Sequence, residues 1–78
     1  MFEGKVIAIT GAGSGIGRAL ALDLATRGAV VALADKDEAG LAETRRLLGN
    51  RAASITPLDV TDKPALKAWI DGAVAEWG

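Results

Sequence analysis

The sequence contains no cysteine, no histidine and no tyrosine. Without cysteine or histidine, disulfides and Cys/His metal clusters are excluded, so we predict no metal site. No apolar run approaches the length of a membrane span, and the first residues lack the apolar core of a signal peptide. We therefore expect a cytoplasmic protein without a membrane partner.

An excess of either charge sign is also lacking. Nine basic and ten acidic residues leave a formal net charge of −1. This balance gives no electrostatic reason to expect nucleic acid or an anionic membrane surface as a partner. With 78 residues, half of them hydrophobic, the chain has room for one domain at most.

Glycine is abundant, and it is concentrated in one turn. Residues 10–17 read Thr-Gly-Ala-Gly-Ser-Gly-Ile-Gly, between the apolar run 6–9 and an Ala/Leu-rich helical stretch. A helix N-terminus offers unpaired N–H groups and a partial positive charge, and glycines let a phosphate approach the backbone. The context predicts a phosphate-binding turn, although a glycine cluster alone is also typical of a flexible loop.

The spacing of the glycines separates this turn from similar nucleotide motifs. A Gly-x-Gly-x-x-Gly pattern starting at Gly11 needs glycine at Ile16, and one starting at Gly13 needs glycine at Arg18. A P-loop is excluded because no Gly-Lys-Ser/Thr follows. Neither the strict dinucleotide fingerprint nor the P-loop therefore describes the turn.

The pattern that fits is Thr-Gly-x-x-x-Gly-x-Gly, formed by Thr10, Gly11, Gly15 and Gly17. It resembles the commonest branch of the short-chain dehydrogenase/reductase family. The sister branch would need glycine in place of Ser14. The resemblance implies an oxidoreductase that acts on alcohols or ketones with a nicotinamide cofactor.

In such a site the turn holds the pyrophosphate of the cofactor. Ser14 and Ile16 are expected to approach the phosphates, chiefly through backbone N–H groups. Gly11, Gly15 and Gly17 would provide the turn, the access and the close helix packing.

An acid at the end of the second apolar run fits a ribose site. Asp35 lies eighteen residues past Gly17, and an acidic residue at about this distance hydrogen-bonds the adenosine ribose in NAD sites. Its charge opposes the 2′-phosphate of NADP, so NAD is the expected cofactor, although the neighbouring Lys36 reduces this preference. The alternative is that Asp35 merely begins a charged loop.

The resemblance assigns a third contact, to adenine. After the third strand of this family an Asp followed by a small apolar residue contacts the adenine ring, and Asp59 and Val60 stand there. Asp59 would accept from the exocyclic amine, and Val60 would add apolar or backbone contact. The alternative is that Asp59 belongs to the cap of the next helix.

The apolar pattern alternates between strand and helix three times. We predict strands at residues 5–10, 29–34 and 52–58, and helices at 15–27, 37 or 38–48, and 63–77. The alternation predicts an α/β fold with three parallel strands in the order 3-2-1, half of a Rossmann dinucleotide-binding domain spanning residues 1–78.

Each of the last two helices is expected to present one apolar face. The second helix should turn Leu41, Leu48 and Ala42 or Leu47 toward the sheet. For the third helix the predicted apolar face, with Trp69 beside it, consists of Leu66, Ile70, Ala73, Val74 and Trp77.

The catalytic residues implied by the resemblance are missing. The family uses a Ser, a Tyr and a Lys, supported by an Asn, beyond the third helix, and this chain has no tyrosine. We expect a truncated, N-terminal cofactor-binding portion that has no catalytic residues and is inactive alone. The alternative is a non-catalytic stand-alone or engineered module that binds nucleotide weakly or not at all. In either case the unpaired edge of the first strand is expected to favour self-association.

Overall fold

Three parallel strands form one sheet, with a helix after each strand. The structure, a computed structural model, describes residues 3–77, with side chains described up to residue 73. The strands are β1 (Val6–Thr10), β2 (Val30–Asp35) and β3 (Ala53–Pro57). The helices are α1 (Gly15–Thr26), α2 (Glu38–Leu48) and α3 (Lys63–Trp77). The predicted α/β half-Rossmann architecture is confirmed.

The middle strand of the sheet is β2, which pairs in parallel with β1 and with β3. The register aligns Thr10 with Ala34 and Asp35 with Pro57, so the three strands end at the same edge. The order is the predicted 3-2-1 order. The loops that follow all three strands therefore meet at this edge.

Element boundaries differ from the prediction by one residue at several ends. The amide of Arg27 donates to the Leu24 carbonyl at 3.0 Å, a tighter bond that closes α1 one residue early. The amide of Ala29 also donates to Leu24, so β2 begins at Val30 and extends to Asp35. Asp35 is consequently the last residue of the strand.

The core lies between one face of the sheet and helices α1 and α2. Small residues on α1, Ala21 and Ala25, allow the helix to approach the sheet closely. Burying a Leu or Val side chain contributes about 1.5–3 kcal/mol, so this layer holds the fold together. The buried cluster consists of Ile9, Ala12, Ala21, Ala25, Ala29, Val31, Leu33, Leu41 and Leu48.

The buried face of α2 differs from the prediction at one position. Leu41 and Leu48 are fully buried as predicted, but Ala42 and Leu47 are exposed. Thr44 is fully buried in their place. Positions 41, 44 and 48 follow the i, i+3, i+7 spacing of one helix face, whereas a hydrophobic pattern passes over a threonine.

Helix α3 lies on the opposite face of the sheet and contacts β1. Its predicted apolar face is wrong at Ile70, which is 45% exposed, and the side chains of Val74 and Trp77 lie outside the described residues. The buried side is instead centred on Trp69, with partly buried neighbours at Ala65, Leu66 and Ala73. Among the described residues, no helix is both long and apolar enough to cross a membrane.

Candidate functional site

A cleft opens at the edge where the three strands end. It has a volume of about 330 Å³. Four of the eight predicted site residues line it, namely Gly11, Asp35, Asp59 and Val60, whereas Ser14, Gly15, Ile16 and Gly17 are not among its lining residues. The lining residues are Thr10, Gly11, Asp35, Lys36, Leu58, Asp59, Val60 and Thr61.

Glycine is required at all three glycine positions of the motif between β1 and α1. Gly11 and Gly15 have φ angles of +67° and +55°, which side chains rarely allow. At Gly17 the φ angle is ordinary, but a Cβ atom would overlap the carbonyl oxygen of Gly11. The backbone of the turn therefore folds against the first turn of α1, leaving no space for a side chain between them.

The N-terminus of α1 presents backbone N–H groups at this turn. Ser14 is the N-cap, in extended conformation, and its side chain makes no capping hydrogen bond. The amide of Arg18 donates to the Ser14 carbonyl at 3.2 Å, which begins the helical hydrogen bonding. Amides before this point have no intrahelical acceptor, and the helix dipole adds partial positive charge. Ile16 is 88% exposed. Because its side chain is apolar, it can contribute to a phosphate site only through its backbone.

Asp35 is held at the end of β2 by two amides. Its Oδ1 atom accepts from Asp37 N at 3.0 Å, and its Oδ2 atom accepts from Gly13 N at 2.9 Å. These bonds, first that from Asp37 and then that from Gly13, hold the pKa of Asp35 below its ordinary value. A carboxylate has about four lone-pair sites, so capacity remains for two hydroxyl donors.

The described hydrogen bonds of the Asp59 side chain lie within its own loop. Its Oδ1 atom accepts from the Thr61 hydroxyl at 2.7 Å and from Thr61 N at 2.9 Å, and these bonds lower its pKa. The cap of α3 is a different residue, because Asp62 Oδ1 accepts from Ala65 N at 3.2 Å. Asp59 therefore lies in the cleft without capping the helix. Val60 is 47% exposed beside it.

Sequence reasoning missed the residues that support the turn from behind. Gly13, Arg18 and Thr44 connect the turn to α2 through side-chain hydrogen bonds. Two signals pointed to them: Gly13 is a glycine that the fitted motif does not require, and Thr44 is a polar residue on an apolar helix face. Neither signal specifies the partner, because the two contacts of Thr44 with Arg18 and Ala12 span 26 and 32 residues of sequence.

The chain matches the model of one protein family. The family model for short chain dehydrogenase matches residues 5–78 of the chain. The chain belongs to the short-chain dehydrogenase family. The family resemblance inferred from the glycine spacing is therefore confirmed.

Individual relatives match nearly the whole chain. SadH of Mycobacterium tuberculosis is 52% identical over 79 residues, covering 99% of this chain and 29% of that protein. A short-chain dehydrogenase from Burkholderia phymatum, solved in complex with NAD, is 40% identical with a TM-score of 0.93, covering 99% of this chain and 28% of that one. A metagenomic short-chain oxidoreductase solved with NADP gives 32% identity and a TM-score of 0.91, covering 99% and 36%. The chain thus spans about a third of the length of these relatives or less.

Proposed function

We propose that this chain is the N-terminal half of the cofactor-binding domain of an oxidoreductase acting on alcohols or ketones. It would bind the adenosine and pyrophosphate half of a nicotinamide dinucleotide. The observation that carries this proposal is that Gly11 of the glycine turn, Asp35 and Asp59 line one cleft. Relatives of the same fold, crystallised with NAD or NADP, support it.

The features of the site fit such a ligand. The exposed residues at the start of α1 suit a pyrophosphate, because their amides have no intrahelical acceptor. The two free acceptor positions on Asp35 match the two hydroxyls of a ribose. In the loop after β3, Asp59 offers a hydrogen-bond acceptor and Val60 an apolar contact to an adenine ring.

NAD is the cofactor that we propose over NADP. The Asp35 carboxylate would lie against the 2′-phosphate of NADP, and a charged hydrogen bond gained or lost is worth about 1.5–3 kcal/mol, or roughly ten- to a hundredfold in affinity. Lys36 lines the same cleft and is exposed. Its positive charge reduces the preference and favours the lower end of that range.

The bound nicotinamide would supply hydride transfer, while this chain would supply only binding. Its residues would orient the cofactor through the glycine turn, Asp35, and the loop that contains Asp59 and Val60. No tyrosine is present to protonate or deprotonate a substrate oxygen. We therefore expect the 78-residue chain to bind cofactor without turning over substrate.

Calorimetric titration of the chain with NADH, NADPH and AMP tests this proposal. We expect NADH to bind about tenfold or more tightly than NADPH, and more tightly than AMP. Equal affinity for NADH and NADPH would remove Asp35 from its proposed role. Equal affinity for NADH and AMP would restrict the site to the adenosine half.

A second property, self-association, is favoured by the open edge of β1. In the sheet of the described residues β1 pairs only with β2, Val6 and Ile7 are half-buried, and Ala8 is exposed. Such an edge offers unpaired backbone groups to a second copy of the chain. Sedimentation at increasing concentration should reveal dimers or larger species, and a monomer at high concentration would contradict the idea.

A further inference from the structure

The guanidinium group of Arg18 reaches from α1 back to the glycine turn and across to α2. Its Nη2 atom donates to the Gly13 carbonyl at 2.5 Å and to the Gly40 carbonyl at 3.1 Å. Its Nε atom donates to the Thr44 hydroxyl at 2.9 Å. Three contacts from one planar group fix both its position and its orientation.

Gly13 is held on both sides by these contacts. Its carbonyl accepts from Arg18, and its N–H donates to Asp35 Oδ2 at 2.9 Å. A Cβ atom at Gly13 would lie 2.8 Å from the same Oδ2, so the approach of the turn to Asp35 requires glycine. The turn and the proposed ribose acid therefore share one residue.

Thr44 anchors the other end of the arrangement. It is fully buried, and its hydroxyl donates to the Ala12 carbonyl at 2.7 Å while accepting from Arg18. A Cβ atom at Gly40 would overlap the Gly13 carbonyl oxygen, so α2 packs directly on the turn. Both carbonyls preceding Ser14 are thus paired to side chains of the two helices.

We propose that Arg18 is a positioning residue for the glycine turn and acts through the Gly13 carbonyl, without contacting the phosphates. This inference rests on the proposed cofactor site. A glycine-rich segment loses much conformational entropy when it is ordered, and ordering it before the ligand arrives raises affinity. Nε and Nη2 of Arg18 are already engaged by protein acceptors on the α2 side of the turn.

The competing explanation is that Arg18 contributes through its charge alone. Lysine keeps the charge but cannot span the carbonyls of Gly13 and Gly40 and the hydroxyl of Thr44 at once. The variant Arg18→Lys therefore separates geometry from charge. Arg18→Met removes both, and Arg27→Met is the matched control, because Arg27 lies just past the end of α1 and, in the described part of the chain, pairs with exposed Asp23.

The first test is an NMR-detected titration of the 78-residue chain and its variants with NADH and with adenosine. We expect Arg18→Lys and Arg18→Met each to weaken NADH about tenfold, adenosine less than about threefold, and Arg27→Met to change neither. Adenosine is the discriminating probe because it has no phosphate. Wild-type NADH affinity in Arg18→Lys, or equal loss for both ligands, would overturn the proposal.

The second test needs no ligand and separates this inference from the proposed function. Amide hydrogen exchange at Gly13 in the free chain should be about tenfold faster in Arg18→Met than in wild type and unchanged in Arg27→Met. If the wild type fails to bind NADH, the proposed function fails, and the Gly13 exchange rate alone decides on Arg18. Unchanged exchange overturns the inference. Should Arg18→Met not fold by circular dichroism, Arg18→Lys serves for the same measurement.

Discussion

The two walls of the cleft are built in different ways. The glycine turn is connected to β2 and α2 by bonds that span 22 to 32 residues of sequence, through Asp35, Arg18 and Thr44. The loop after β3 starts with one backbone bond to β2, from Leu58 N to the Asp35 carbonyl at 3.0 Å, but the Asp59 side chain accepts its bonds from Thr61, two residues away. A wall that depends on remote contacts is sensitive to changes in several elements, whereas a local wall depends on its own residues.

This difference suits the two parts of the proposed ligand. Phosphate binding through backbone N–H groups requires the backbone itself to be oriented. An adenine ring that is contacted by one carboxylate and one apolar side chain does not require the backbone to be oriented as closely. We therefore expect substitutions in or behind the turn to have larger effects than substitutions in the loop after β3.

The largest effect is expected from Gly17→Ala, because the new Cβ overlaps the Gly11 carbonyl oxygen, a backbone atom that cannot move aside. We predict about 1–3 kcal/mol of destabilisation in urea unfolding and at least about a hundredfold loss of NADH affinity, which corresponds to about 2.7 kcal/mol. Gly72→Ala is the control, since among the described residues the new Cβ would come within 4 Å of no atom outside its own helix turn, and a glycine inside a helix costs about 1 kcal/mol relative to alanine. It should stabilise α3 and leave affinity unchanged. Near-normal affinity in Gly17→Ala would contradict the proposed close approach.

The next effect is expected from Thr44→Val, which keeps the shape but removes the hydroxyl between Arg18 and the Ala12 carbonyl. Leaving buried partners unpaired costs about 1–3 kcal/mol, and urea unfolding should show it. Thr44→Ser retains the hydroxyl and should recover the hydrogen-bond part of the loss. A Thr44→Val variant as stable as wild type would contradict the role of the hydrogen bonds, because valine keeps the methyl group and removes only the hydroxyl.

A smaller, pH-dependent effect is expected at Asp35. Its folded pKa is lowered by the amides of Asp37 and Gly13, so its contribution to stability is present above the unfolded pKa of about 3.9 and is lost as pH falls through the lower folded pKa. Asp35→Asn should cost about 1 kcal/mol at pH 7 and converge with wild type in strong acid. Urea unfolding at neutral and acidic pH measures this. Asp71→Asn, at an exposed site on α3, is the charge control, and an equal convergence there would contradict a specific role of Asp35.

The smallest effect is expected on the other wall. Asp59→Asn retains an acceptor for Thr61 and disturbs no remote contact, so NADH affinity should fall by only about two- to fivefold, or roughly 1 kcal/mol or less. Asp62→Asn, which alters the cap of α3, should leave affinity unchanged. A loss at Asp59 as large as that at Gly17 would remove the distinction between the two walls.

The sequence predicted what depends on local order and missed what depends on packing. The motif from Thr10 to Gly17 and the position of Asp35 follow from spacing along the chain, and the α/β alternation follows from periodicity. The role of Thr44 does not, because a threonine on an apolar helix face acquires meaning only when Arg18 and Ala12 are beside it. The exposure of Ile70 was missed for a related reason. The apolar pattern of α3 allowed more than one helix face to be buried, and packing around Trp69 determines which face is buried.

The central claim, that the amides at the start of α1 form a preorganised pyrophosphate site, is tested most directly by following backbone amide resonances during titration with NADH. We predict that NADH causes its largest shifts at residues 13–17 and at Asp35, and smaller shifts at Asp59 and Val60. Adenosine, which has a ribose but no phosphate, should shift Asp35, Asp59 and Val60 while leaving residues 14–17 nearly unchanged. Shifts confined to residues outside the turn and the cleft, or a turn that does not respond to NADH, would contradict the account.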